Sequence, residues 1–347
     1  MLYAASLLAL TLLIACCTKA TPTGASPRSV VLDATVAFNS AETKAITNPT
    51  DDDYKLPPAY SIYTSAYYTD PEFPSTDGNY FTGVKFDYDS ALEGWKPASS
   101  SPSASEFFWP IAGNGNSLDF LAVATDTSSL DISDKMLWAG QDDSFLQGER
   151  SVHGVRISVP DNDGSAEILY ARASQQCNDK TPVQMVFRHT QCCLEFNIRM
   201  QTNLDNILRL DRIVVEDAYS SGECTIKMHP IENASWNFEA SKPHSKEVPG
   251  IAEGTSVTKT EALTYNVVLP PQPGCVIAFH FRQRSSDVGS GNGVQTEITP
   301  LYRIAPDAAT WEAGKKYIFD VTVKPGEIAI VPRVTEWKVG KNIVVPV

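Results

Sequence analysis

Ser29-Val30-Val31-Leu32-Asp33-Ala34-Thr35-Val36-Ala37-Phe38 is the stretch on which the fold turns. Val30, Leu32, Ala34, Val36 and Phe38 fall on one face, and Asp33 and Thr35 on the other. Period-two alternation of this kind marks a half-buried β-strand. Working outward, residues 61–68, 117–124, 154–159, 167–171, 183–189, 193–199, 208–215, 224–228, 263–269, 275–281, 317–323 and 328–334 alternate or run apolar in the same way. Residues 80–88 read as a strand pair or one bulged strand, and residues 126–134 as a short helical turn. Clusters of Gly, Pro, Asn and Asp separate the runs, and the chain holds 23 prolines. Long helical periodicity is scarce. The pattern predicts an all-β chain built as two β-sandwiches in tandem. The polar stretch 174–181, ending in Thr181-Pro182, places the break between a domain over 29–178 and another over 179–347.

Ahead of the first strand the chain changes character. An apolar run from Leu2 closes in Leu13-Ile14-Ala15-Cys16, which resembles a bacterial lipobox. The run falls short of the ~20 apolar residues that span a bilayer as a helix. It reads as a signal peptide over residues 1–15, with Cys16 lipidated. Residues 18–28, rich in Thr, Pro, Ser and Ala, complete a flexible tether that starts at Cys16.

Composition narrows the function. The net charge is −13 and no Lys/Arg cluster is present, which argues against a nucleic-acid partner. Of seven cysteines, five lie beyond the tether: Cys177, Cys192, Cys193, Cys224 and Cys275. Cys192 and Cys193, adjacent in a strand, point to opposite faces and do not bond to each other. No CxxC pair has metal spacing, so no metal is expected. The five cysteines read as small buried hydrophobes, with at most one disulfide. No GxSxG, HExxH, P-loop or dinucleotide fingerprint occurs, and no cofactor or catalytic residue is assigned. Asp161-Asn162-Asp163-Gly164 reads as a turn rather than a calcium loop. His189 and His280 fall in strands and read as packed histidines. The aromatic residues Tyr60, Tyr63, Tyr67, Tyr68, Tyr80, Phe81, Trp95, Phe107, Phe108 and Trp109 read first as core, and second as a carbohydrate-binding face.

Several short segments carry a likeness in their order and spacing. They are Leu13–Cys16, the first strand with Thr43-Lys44-Ala45 after it, Phe108-Trp109-Pro110 and Leu118-Asp119-Phe120-Leu121-Ala122. Ile168-Leu169-Tyr170-Ala171, Pro182-Val183 to Phe187-Arg188-His189, Tyr317 to Val323 and Glu336-Trp337 complete them. In these the chain resembles the fimbrillin (Mfa-like, FimA-like) proteins, lipoprotein-precursor subunits of type V pili in Bacteroidetes-type bacteria. The resemblance implies two transthyretin-like β-sandwich domains and no enzymatic activity. It implies export as an outer-membrane lipoprotein, surface display, proteolytic removal of the first strand, and polymerisation by strand donation into a cell-surface fimbrium. The implied partners are other fimbrial subunits (as homo- or hetero-polymer), a processing protease, the outer membrane through the lipid on Cys16, and a host or bacterial adhesion target. In the family's best-studied members the cut follows an arginine. Here the candidates are Lys44, in the loop after the strand, and Arg28, before it.

The physics of the first strand stands beside the resemblance. Burying Val30, Leu32, Ala34, Val36 and Phe38 contributes very roughly 5–12 kcal/mol, against a domain stability of ~5–15 kcal/mol. Removing the strand would open an apolar groove and an unpaired sheet edge, which recruits another strand. The end of the sequence offers one: Ile343, Val345 and Val347 alternate with Asn342, Val344 and Pro346. Two readings of these segments stay open, exchangeable strands or permanent edge strands. The competing function is a monomeric surface lipoprotein that binds a glycan or a host protein.

Overall fold

The structure, a computed structural model, describes residues 29–36, 55–69, 78–99, 108–110, 115–126, 130–139, 153–179, 181–201, 207–228, 233–284, 297–298, 301–304, 310–324 and 327–337. All regular structure among them is β. The first nine strands are β1 (Leu32–Val36), β2 (Tyr60–Thr69), β3 (Gly78–Asp89), β4 (Gly94–Pro97), β5 (Ser117–Asp126), β6 (Met136–Trp138), β7 (Gly154–Val159), β8 (Ile168–Gln176) and β9 (Val183–His189). Seven follow: β10 (Cys192–Met200), β11 (Ile207–Ala218), β12 (Gly222–Lys227), β13 (Ser235–Asn237), β14 (His244–Glu247), β15 (Thr255–Ser256) and β16 (Leu263–Leu269). The last are β17 (Gln272–Pro273), β18 (Ile277–Arg284), β19 (Glu297–Ile298), β20 (Leu301–Ile304), β21 (Thr310–Trp311), β22 (Lys315–Lys324) and β23 (Glu327–Glu336).

Seven strands close a barrel in the order β1-β4-β3-β2-β5-β8-β9, with β9 returning to β1. Its interior is filled by Leu32, Ile62, Phe81, Phe86, Trp95, Leu118, Phe120, Met185, Phe187 and their neighbours. The outward faces of β2, β5 and β8 are covered as well. Tyr63, Tyr67, Leu121, Val123, Ile168 and Tyr170 pack against Trp138, Val155, Ile157, Cys224 and Ile226 of the flanking sheet β13-β12-β7-β6. Burial on both faces explains why residues 117–124 run apolar instead of alternating cleanly. The expected strand pair over residues 80–88 is one bulged strand, β3, whose register against β2 shifts twice between Thr64 and Tyr67. Near the shifts Gly83 takes φ +62, where an added Cβ would lie 2.8 Å from the Trp138 indole. Of the helical turn expected over 126–134, residues 127–129 lie outside the described residues; Leu130 N donates to Asp126 O, four residues back, and Lys135 N to Ile132 O, each at 3.0 Å.

The second layer pair is a sandwich. The sheet β16-β10-β22-β23 faces the sheet β14-β11-β18-β19, which β15 and β20 extend. Phe196, Phe319, Val321, Val267 and Leu269 from one side meet Leu210, Ile213, Val215, Phe279 and Phe281 from the other. Both Phe319, at 5.3 Å, and Phe279, at 5.9 Å, lie against the Phe196 ring. Thr181-Pro182 lies between β8 and β9, two neighbours in the barrel, and β12, from later in the chain, pairs with β7 along six residues. All five described cysteines are free. Cys192 faces the sandwich core, whereas Cys193 faces a small separate cluster with Val268 and Trp337.

Candidate functional site

The apolar face of the first strand is fully enclosed. Val30, Leu32 and Ala34 have no exposed surface, Val36 is 5 % exposed, and all four belong to the barrel core. Burying three large aliphatic side chains and one Ala contributes about 5–9 kcal/mol gross. On the polar face Thr35 is buried, whereas Asp33 is half-buried and accepts from Gln184 Nε2 at 3.0 Å. The edge-strand alternative fails for this segment, because β1 sits between two neighbours and closes the barrel.

Its two edges differ in kind. Along one edge β9 runs parallel in an unbroken register, from Leu32 opposite Val183 to Val36 opposite Phe187. Val183 N also donates to Val31 O at 2.8 Å. Along the other edge three separate segments each make a short contact: Phe108 with Ser29, Trp95 of β4 with Leu32, and Lys55 with Thr35. There Leu56 N donates to Ala34 O at 3.0 Å. Gly94 makes the approach of β4 feasible: a Cβ on it would lie 3.0 Å from Leu32 O and 3.2 Å from Val31 Cγ1. The strand in this channel is therefore held by one continuous ladder and three clasps.

The barrel is stopped at both ends. Near Ser29, Trp109 packs edge-on against Phe120, and Tyr80 OH donates to Phe108 O. At the Val36 end lies a polar group that sequence reasoning did not assemble. Tyr60 OH donates to Glu167 Oε2 at 3.4 Å, and His189 Nδ1 stands 3.7 Å from the same carboxyl oxygen. Trp337 lies flat on the His189 ring, with centroids 3.8 Å apart and planes 10° from parallel. Burial raises the Glu167 carboxyl to about 7. Burial, aided by the Lys316 ammonium, lowers His189 to about 3, so the imidazole is neutral. One signal was legible: Val183, Met185, Phe187 and His189 share a face by parity, and that face is the buried one. Glu167 and Trp337 come from distant segments, and pattern alone does not bring them to His189.

Turn residues 161–164 tie the barrel side to the sandwich. Asn162 Oδ1 accepts from Gly164 N at 2.8 Å, the turn that its composition foretold. Ser220 Oγ and Lys246 Nζ donate to Asp161 Oδ1 at 2.5 and 3.1 Å, and His244 Nε2 lies 3.1 Å from Ser220 Oγ. Burial would push the Asp161 carboxyl up, but these hydrogen bonds outweigh it and hold it below the ordinary value. Serine, histidine and aspartate meet here without forming a nucleophilic triad. The carboxylate accepts the serine hydroxyl's hydrogen bond itself, and Ser220 Oγ and Asp161 Oδ2 both face the same imidazole nitrogen, Nε2. Among the described residues no group of His, Cys, Asp and Glu could hold a metal ion.

Of the sequence-assigned residues, Val30, Leu32, Ala34 and Val36 line the channel together. Cys16, Arg28, Phe38, Lys44, Ile343, Val345 and Val347 lie outside the described residues. Half of the aromatic set is core: Phe81, Trp95 and Trp109 belong to the barrel interior, and Tyr63 and Tyr67 to the layer beneath the flanking sheet, while Tyr60, Tyr68, Tyr80 and Phe108 are half-buried and Phe107 lies outside the described residues.

A family model described as fimbrillin-like matches residues 43–337. Among solved structures, a fimbrial protein from Bacteroides vulgatus ATCC 8482 is 14% identical; the match covers 88% of this chain and 99% of that one, with a TM-score of 0.58. A candidate cell adhesion protein from Bacteroides ovatus ATCC 8483 is 13% identical over 91% of this chain and 100% of that one, with a TM-score of 0.50. No curated protein matches the sequence.

Proposed function

Because the chain belongs to the fimbrillin-like family, we propose that it is a structural fimbrial subunit that polymerises by exchanging its first strand. Members of this family are fimbrial proteins of the cell surface and not enzymes. In the proposed route Cys16 carries a lipid that holds the precursor at the outer membrane. A protease then cuts at Lys44 or Arg28, the segment bearing Val30, Leu32, Ala34, Val36 and Phe38 leaves, and a neighbouring subunit lends Ile343, Val345 and Val347. The barrel with its flanking sheet and the sandwich serve as the two transthyretin-like modules.

The observation that carries this reading is the unequal attachment of β1. A strand that contributes several kcal/mol of burial, yet is clasped along one edge at three points among the described residues, leaves behind a shaped apolar channel with a ready β9 ladder. The competing reading, a monomeric surface lipoprotein that binds a glycan or a host protein, drew on the aromatic residues, and the burial of Tyr63, Tyr67, Phe81, Trp95 and Trp109 weakens its support.

The test is cleavage within residues 37–54 through an engineered protease site, followed by negative-stain microscopy. Filaments from the cleaved full chain, and none from cleaved chain lacking 342–347, are the expected result. Cleaved protein that stays monomeric, or tailless protein that polymerises as well, overturns the proposal.

A further inference from the structure

Trp337 occupies an unusual position. It follows β23 directly, is 4 % exposed, and packs with Cys193 and Val268. Its backbone is pinned too: Trp337 N donates to Gly314 O at 2.9 Å, and Gly314 N donates to Gln191 O at 2.8 Å. Ten residues of sequence follow it. The seat it rests on, His189, is the last residue of β9. The residue that anchors the root of the tail is thus seated on the strand that forms the ladder with β1.

The seat is the last residue of β9, and β1 holds the run that leads into it. Val183 to Phe187 are paired along β1; beyond them Arg188 pairs with Tyr170 and His189 with Leu169 of β8, and Thr190 N donates to Ile168 O at 3.0 Å. Val183, Met185 and Phe187 also share their core with Leu32, Ala34 and Val36. Loss of β1 removes the ladder and part of the packing that hold Val183 to Phe187 in place, and leaves β9 held at its end by β8. The floor under Trp337 is moreover a poor core. Neither ring nitrogen of His189 reaches full hydrogen-bond geometry with a partner among the described residues; the nearest groups are the Glu167 carboxyl, 3.7 Å from Nδ1, and the Trp337 backbone. Buried polar groups with poorly made hydrogen bonds carry a free-energy cost, which weakens this contact relative to the apolar sandwich.

We propose that the seating of Trp337 on His189 is a latch through which an occupied β1 channel holds back the root of the subunit's own tail. Emptying the channel loosens β9, unseats Trp337, and frees the following residues for donation. One subunit thereby becomes acceptor and donor together. Trp337 and His189 act as positioning residues in this step. The inference rests on the strand-exchange reading but is tested apart from it.

The experiment is hydrogen exchange on the full chain, before and after cleavage within 37–54 and removal of the first strand at high dilution. The Trp337 and Gly314 amides are expected to lose protection by tenfold or more when the strand leaves, while amides of β10 and β16 keep theirs. Trp337→Ala should exchange fast at its tail root even with the strand in place, and Trp337→Phe should restore the dependence on the strand. Unchanged protection at Trp337 after strand removal overturns the latch. So does a Trp337→Ala protein whose tail root stays protected until the strand leaves. Should Trp337→Ala fail to fold, Trp337→Phe and the wild-type chain decide by the same readout. Filaments formed without any change at Trp337 reject the latch and leave strand exchange standing; a loosened Trp337 without filaments does the reverse.

Discussion

The strands β1 and β10 fill matching places and are held very differently. Each opens its half of the molecule, and each lies between an antiparallel and a parallel neighbour. Strand β10 runs nine residues, with unbroken ladders from Cys192 to Ile198 along β16 and from Cys193 to Met200 along β22. Strand β1 runs five residues, with an unbroken ladder on one side and a single pair with β4 on the other. Both are buried. The difference is therefore one of attachment, not of apolar content: β10 is woven in, and β1 is laid in.

Truncations should expose that difference. Phe196→Ala removes a ring packed between Phe319 and Phe279 and is expected to cost about 3–5 kcal/mol, read as a fall in global thermal stability. Leu32→Ala should cost about 2–5 kcal/mol, but its main signature should be local. Exchange protection along β1 and β9 should drop while β10 and β16 stay protected. Equal, global loss from both variants would break the comparison.

Next in size is the polar end of the barrel, which has no counterpart in the apolar sandwich core. Glu167 rises from an ordinary 4.5 to about 7 on folding. Its contribution is full below about pH 4.5 and is lost as pH rises through about 7, by roughly 3 kcal/mol. His189 drops from 6.5 to about 3, so its contribution is full above about pH 6.5 and is lost as pH falls. Between about pH 4.5 and 6.5 the two trends oppose each other, so Glu167→Gln should leave the His189 trend alone and turn a nearly flat profile into one that rises from pH 5 to 7, measured by urea unfolding at pH 5, 7 and 8.5. A profile unchanged by the substitution would contradict the burial argument.

Gly94→Ala sharpens the comparison from the weaker edge of β1. The new Cβ would press on Leu32 O and Val31 Cγ1, at an expected cost of about 1–3 kcal/mol. The first strand of cleaved protein should dissociate faster than in the parent, as followed by size exclusion. The smallest effect concerns β23, which lies at the end of its sheet with Val331 and Val334 exposed. Pro332 on this edge has no N–H to offer an incoming strand. Pro332→Thr should change stability by less than about 0.5 kcal/mol yet raise self-association, read by light scattering.

Most long strands were legible because apolar side chains on alternate positions of residues 29–38, 183–189 and 317–323 leave few other ways to bury them. Short strands such as β4, β6 and β13 were missed, since three or four residues carry no usable period. The grouping of strands was harder still. A break at Thr181-Pro182 marks a turn, but a turn inside a barrel and a turn between sandwiches have the same local chemistry. The channel-lining residues of β1 could be named from parity alone. The group at its mouth could not, because Tyr60, Glu167, His189 and Trp337 meet only through long-range pairing of β2, β8, β9 and β23.

The most direct measurement is peptide exchange into the channel. The chain is cut within 37–54 and mixed with an excess of labelled peptide spanning residues 29–38, and incorporation is followed under conditions where the sandwich stays folded. Uptake approaching one label per chain, with β10 protection intact throughout, is the predicted result. A cut strand that stays bound until the whole molecule unfolds would contradict the account.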